Sequence, residues 1–137
     1  MKNDVKKAHI EIVSITDGEA NHWQTIGEYK LDGDTHLIAY TDYTGNITTK
    51  NGLYVGKGSM LLHRTGGITS DMLFDLQNDT ITNYAIFSVE TDFIIHTEEY
   101  EVNETADGLE IYLRYTLTDK NDMQPIYGAQ RIIVNIM

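Results

Sequence analysis

One arginine stands in an otherwise apolar stripe. In the run Ser59 to Thr65, Met60, Leu62 and Arg64 share one parity, so in an extended strand they point to the same face. If that face is the interior, a guanidinium is carried inside. Burying an isolated charge costs several kcal/mol, so Arg64 then needs a carboxylate or several acceptors. Asp42, Glu28 and Glu11 are the candidate partners. Two readings stay open. Arg64 is a structural group, in an internal ion pair or at a strand end reaching water. Alternatively its planar donor fork anchors the carboxylate or phosphate of a bound ligand. The chain also has nine tyrosines, whose aromatic body and polar tip suit cavity linings and ordinary strand packing alike. Tyr29, on the face of Trp23, and Tyr40, two residues before Asp42, are the lining candidates, with Asp42 beside them.

Other chemistries find less support. With no cysteine, thiolate metal sites, cysteine nucleophiles and disulfides are excluded. His9, His22, His36, His63 and His96 show no H-x-H or H-x-x-x-H spacing, and no metal is expected. None of the four serines lies in a G-x-S-x-G elbow. Gly56-Lys57-Gly58-Ser59 resembles a phosphate loop only superficially, because the leading glycine spacing and the helix are missing. The many carboxylates offer no pair that spacing singles out. Asn46, Asn78 and Asn103 open Asn-x-Thr triplets and read as turn residues. No cofactor is implied, and an enzyme is the least supported class.

Charge is segregated. The 137 residues hold 10 basic and 21 acidic groups, a net charge of −11. Thr65 through Leu113 contains no Lys or Arg but eleven acids, while the rest of the chain balances. One sector is therefore expected to be acidic, either as a solvated face or as a surface for a basic partner. Nucleic acid and anionic membranes are unlikely partners for such a charge. No calcium-loop spacing is present. The polar start, residues 1–7, is expected to fray. With no apolar core after it, and no apolar run of membrane-spanning length, the expected location is cytoplasmic.

The elements that must position these residues are strands. Period-2 alternation dominates, broken by short turn signals. Residues 8–16 alternate with a parity slip at Ile12–Val13, which predicts a bulge or bend. Residues 22–31 place Trp23, Thr25, Gly27, Tyr29 and Leu31 on one face. Asp32-Gly33-Asp34 signals a hairpin. Further runs cover 35–42, 46–50, 52–56, 59–65, 68–77, 80–89, 92–102, 108–118 and 129–137. In 68–77, Ile68, Ser70, Met72, Phe74 and Leu76 share a face. In 108–118, Leu109, Ile111, Leu113, Tyr115 and Leu117 do. The last run buries Ile132, Val134 and Ile136. The pattern predicts one all-β domain over residues 1–137, an antiparallel up-and-down barrel of about eight to ten strands. Such a barrel is filled by side chains or holds one small ligand.

The order of short blocks resembles the YwiB-like family of small bacterial proteins of unknown function, over roughly residues 9–136. The blocks are Gly27-Glu28-Tyr29, Tyr40-Thr41-Asp42 with Thr44-Gly45, and Arg64-Thr65-Gly66 with Met72-Leu73-Phe74. Gly108 to Ile111 with Tyr115, and Arg131 to Val134, complete the order. The chain departs from the family at residues 85–90, where a glycine turn is replaced, and at Asp42, where Glu is frequent. The resemblance implies a lipocalin-like (calycin) barrel and no settled activity. It brings Thr65 and Met72 beside Arg64 as candidate ligand-binding residues. The expected function is a barrel binding a small anionic or amphipathic ligand. The competing expectation is a protein-interaction or homodimeric module with a packed interior. Monomer and homodimer are both open.

Overall fold

The computed structural model describes residues 4–44 and 46–137, and for Thr44 the backbone only. Met1, Lys2, Asn3 and Gly45 lie outside the described residues, so the turn at Tyr43–Asn46 is described only in part. Ten strands follow one another: β1 (Lys6–Thr16), β2 (Glu19–Asp32), β3 (Thr35–Thr44), β4 (Ile47–Val55) and β5 (Ser59–Gly66), then β6 (Ile68–Asp75), β7 (Thr80–Ile86), β8 (Val89–Glu104), β9 (Gly108–Asp119) and β10 (Pro125–Ile136). Each pairs antiparallel with its sequence neighbour, and β1 pairs with β10 to close the barrel. The expected up-and-down barrel is therefore the observed fold, at ten strands. No helix among the described residues is long and apolar enough to cross a membrane.

Alternation explains the core. Ile10 and Ile12, Ile38, Leu53 and Val55, Met60, Phe74, Ile95, Leu109, Ile111 and Leu113, and Ile132 and Val134 all point inward and are buried. A fully buried side chain of this size contributes about 1.5–3 kcal/mol relative to exposure. The middle of the barrel is thus packed solid, not hollow.

Several sequence expectations need correction. Runs 46–50 and 52–56 form one strand, β4, whose register continues through Asn51 and Gly52. Run 80–89 is cut by a hairpin at Phe87, which adopts φ 57°. The N-terminal polar run is shorter than expected, because Lys6 and Lys7 already pair with Tyr29 and Glu28. β1 carries no bulge, since its register is unbroken on both sides. Val13 and Ile15 simply face outward, and Ile15 is exposed. The irregularity lies in β8, between Thr97 and Glu99. One extra residue there switches the inward parity, from Ile95 and Thr97 to Tyr100 and Val102. Leu31 and Leu76, at the ends of their runs, are exposed.

Two seams interrupt the wall. β2 pairs with β1 from Glu19 to Tyr29, yet meets β3 only from Glu28 to Asp32. Gly27 marks the divergence: a Cβ there would lie 2.3 Å from the Ala39 carbonyl oxygen and 2.6 Å from Ile10 Cδ1. β6 and β7 pair only at Ile68–Thr69 with Ala85–Ile86. Farther along, Thr82 Oγ1 donates to the Asp71 carbonyl (2.7 Å) and Thr80 Oγ1 to that of Leu73. Gly27→Ala is expected to destabilise the barrel by about 2–3 kcal/mol, in the range of backbone clashes and overpacking. Gly58→Ala, where a Cβ meets nothing within 4 Å, should cost under about 0.5 kcal/mol. Urea unfolding of both variants checks the contrast.

Candidate functional site

Even positions of β5 face inward, so Arg64 projects into the barrel near one mouth. Its neighbours on β6 and β7 share that face. Arg64 Nε donates to Ser70 Oγ at 3.2 Å, and Nη2 donates to Met72 Sδ at 3.2 Å. The guanidinium carbon lies 5.2 Å from the centre of the Tyr84 ring, a cation–π distance. A cup of about 340 Å³ opens here, with Leu62, Met72, Phe74 and Tyr115 among its walls. Phe93, Leu117, Ile126 and Gln130 come from the facing strands. One wall carries the charge and its polar partners. The opposite wall, on β8 to β10, is mostly apolar.

No carboxylate among the described residues lies within ion-pair distance of Arg64, in contrast to Arg114 and Arg131. This corrects the expectation of an internal ion pair. Glu11 instead contacts His22 on the outer face at 2.6 Å. Glu28 is exposed on the outside of β2. Asp42 has inward parity and is half-buried, and its charge, like that of Arg64, acts on the Tyr40 hydroxyl. Arg64 is only partly buried, which lowers the cost of carrying its charge without a counter-ion.

The sequence-selected residues are therefore divided. Arg64 and Met72 share the cup. Tyr40 is close enough that the Arg64 charge acts on its hydroxyl, and its ring lies 5.6 Å from that of Trp23. Thr65 faces outward and is exposed, opposite Lys50, so it lies outside the cup. Tyr29 belongs to the other end of the barrel. Its hydroxyl is 2.7 Å from His36 Nδ1, and Glu104 Oε1 is 3.3 Å from His36 Nε2. A hydroxyl donating into Nδ1 leaves the ring proton on Nε2, facing Glu104. This chain of contacts satisfies a buried histidine.

Ser70, Tyr84, Phe93, Tyr115 and Gln130 went unselected. Ser70 was detectable, being the polar member of the β6 stripe that ends in Met72 and Phe74. Tyr84, Phe93 and Gln130 reach the cup through strand order, which short-range patterning does not contain. A separate groove of about 640 Å³ follows the β2–β3 seam, between Asn21–Thr25 and Thr41–Tyr43. The histidines His22, His63 and His96 each meet a single carboxylate on the outside. Among the described residues no group of three His, Asp or Glu side chains could hold a metal.

Burial dominates the tyrosine electrostatics. It pushes the Tyr40 hydroxyl up to about 12, with the Arg64 charge opposing and Asp42 reinforcing. Burial also raises Tyr115, against a hydrogen bond from Gln130 (3.4 Å) and the Arg64 charge. Tyr100, which donates to the Gly56 carbonyl at 2.6 Å, is likewise raised by burial. Tyr40 and Tyr115 therefore keep their protons at neutral pH.

The sequence profile of a domain of unknown function, DUF1934, matches residues 7–127. The crystal structure of the ywiB protein from Bacillus subtilis is similar to this barrel, with a TM-score of 0.83 at 16% identity. The likeness covers 97% of this chain and 93% of that one, and at that identity it carries the fold alone. No curated protein matches.

The raised tyrosines make stability alkali-sensitive. An unfolded tyrosine loses its proton near pH 10, whereas folded Tyr40 holds it to about 12. Between those values the unfolded chain binds fewer protons, so stability falls as pH rises. The contribution is complete below about pH 10. Urea midpoints measured from about pH 9 to 11.5 should fall more steeply for the unsubstituted chain than for Tyr40→Phe. Equal slopes would contradict this account.

Proposed function

We propose that this chain, which belongs to the DUF1934 family of domains of unknown function, is a binding barrel that holds a small anionic ligand in the Arg64 cup. The observation that carries the reading is an inward guanidinium with no carboxylate partner among the described residues. A charge held for structural reasons is normally paired. Arg64 is instead braced by a hydroxyl, a thioether and an aromatic face, none of which neutralises it. The hydrogen bonds of Arg64 to described residues use Nε and Nη2, which leaves the donors of Nη1 for a ligand. The packed centre of the barrel confines the ligand to this mouth.

A second reading rests on a different observation. Tyr43, Phe87, Val89, Met123 and Tyr127 are more than half exposed and lie at the turns and strand ends on the Arg64 side. Such apolar groups suit a protein partner or a second copy. Light scattering over a range of concentrations tests the homodimer form, and a strict monomer would remove it.

The two roles of Arg64 separate experimentally. Arg64→Leu breaks no ion pair, so it should change the unfolding free energy by no more than about 1 kcal/mol. Loss of about 3–5 kcal/mol is what breaking a buried pair would give. Native mass spectrometry of the unsubstituted chain should show a small retained mass that is released on unfolding. The Arg64→Leu variant should lack it. A bare chain mass for both proteins would overturn the proposal.

A further inference from the structure

The cup's geometry narrows the ligand class. Its charged wall offers one cation. Nε and one N–H of Nη2 are engaged by Ser70 and Met72, which leaves the end of the fork, one N–H of Nη1 beside the second N–H of Nη2. Two parallel N–H groups on a planar edge match the two oxygens of a carboxylate. A monoanion matches the single Arg64 charge, whereas a dianion would bring one charge more than Arg64 neutralises.

The walls specify the remainder. Phe74 and Tyr115 lie with ring centres 5.0 Å apart at 55°, and Tyr84 meets Phe93 edge-on at 6.0 Å and 85°. Walls so rich in aromatic side chains suit a flat ring, which meets them in stacked or edge-to-face contact. The cup volume, about 340 Å³, equals roughly eleven waters at about 30 Å³ each. That volume matches one or two fused rings with the acid group.

Resting on the reading of the cup as an anion site, we infer that its ligand is an aromatic monocarboxylate, with the acid on the Arg64 fork and the ring between Tyr84, Phe93 and Tyr115. Binding should depend on the single charge, on the planar head and on the ring, each separately removable.

NMR titration of the isotope-labelled protein with benzoate, cyclohexanecarboxylate, benzyl alcohol and phenyl phosphate tests each feature in turn. Benzoate should shift the amides of Arg64, Tyr84 and Phe93 saturably. Cyclohexanecarboxylate should bind about threefold more weakly or worse, having lost ring contacts. Benzyl alcohol and phenyl phosphate should each bind at least about tenfold more weakly. Arg64→Lys keeps the charge but loses the fork, so it should weaken benzoate about tenfold and leave benzyl alcohol unchanged. The comparison of the four probes needs only the unsubstituted chain, so it stands if Arg64→Lys does not fold. Phenyl phosphate binding more tightly than benzoate would overturn the carboxylate class but leave the anion cup intact. Cyclohexanecarboxylate equal to benzoate would overturn the aromatic requirement. Benzyl alcohol equal to benzoate would overturn both this inference and the anion reading. No shift with any probe overturns the class, and the retained mass in native spectrometry then decides the anion reading on its own.

Discussion

Closure of the sheet is the constraint on which the rest depends. β1 and β10 pair continuously from Ala8–Ile136 to Thr16–Gly128, and this joins the two ends of a meander into a ring. Once the ring is closed, every strand has an inside and an outside, and strict alternation assigns each residue to one of them. Arg64 is inside because Met60 and Leu62 are inside. A side chain two residues along from a buried leucine cannot turn outward without a bulge, and β5 has none: its register with β4 and β6 is unbroken. The arginine is therefore held in place by the packing of its own strand. Ser70, Met72 and Tyr84 then receive it, because β6 and β7 come next in the ring.

Closure also explains why a ten-stranded barrel can be solid at its centre and open at one end. Large apolar residues from all sides fill the middle, with Phe74 forming the floor under Arg64. Towards this mouth β2 and β3 lose their pairing beyond Glu28 and Ala39, whereas β6 and β7 stay paired at this rim, Ile68–Thr69 with Ala85–Ile86, and part farther along the wall. The opposite mouth holds a recess of about 520 Å³ with His36, Gly56, Lys57 and Glu104 in its lining, where Tyr100 donates to the Gly56 carbonyl and Tyr29 meets His36. The two ends thus use tyrosine differently. At one end the hydroxyls are tied to internal acceptors. At the other, Tyr40 makes no hydrogen bond to another described residue, and Tyr115 only receives a long one from Gln130.

Much of this was legible in the sequence, and what was not has physical reasons. The inward faces of β2, β6, β9 and β10 followed from alternation, because those strands keep one parity throughout. A parity slip is ambiguous. In β1 it reflects apolar residues tolerated outside, while in β8 the same kind of slip, from Phe93 and Ile95 to Tyr100 and Val102, is a true bulge. Only the partner strand distinguishes them. Arg64 and Met72 were recognisable as neighbours because adjacent hairpin strands place them together. The separation of Tyr29 from Arg64 was not legible because parity locates a residue across the wall but not along the barrel. Thr65 faces away from the cup because neighbours in sequence point to opposite faces. Phe93, Ile126 and Gln130 were missed because they oppose Arg64 across the ring, a relation set by strand count and closure.

The charge distribution bears on which anions could use such a cup. The eleven acids without a basic residue among them occupy β6 to β9 and their turns, one continuous sector of the ring. Part of it is offset on the surface, where Arg114 contacts Glu98 and Glu99 and Arg131 contacts Glu110. The remainder repels an approaching anion, although salt screens exposed charges beyond about 8–10 Å. Within the cup the balance changes, since Arg64 is the nearest of these charges to a bound anion. The outer field penalises each negative charge a ligand carries, while the inner field rewards only the first. The anion site proposed for this barrel is therefore best matched by a ligand of low charge number.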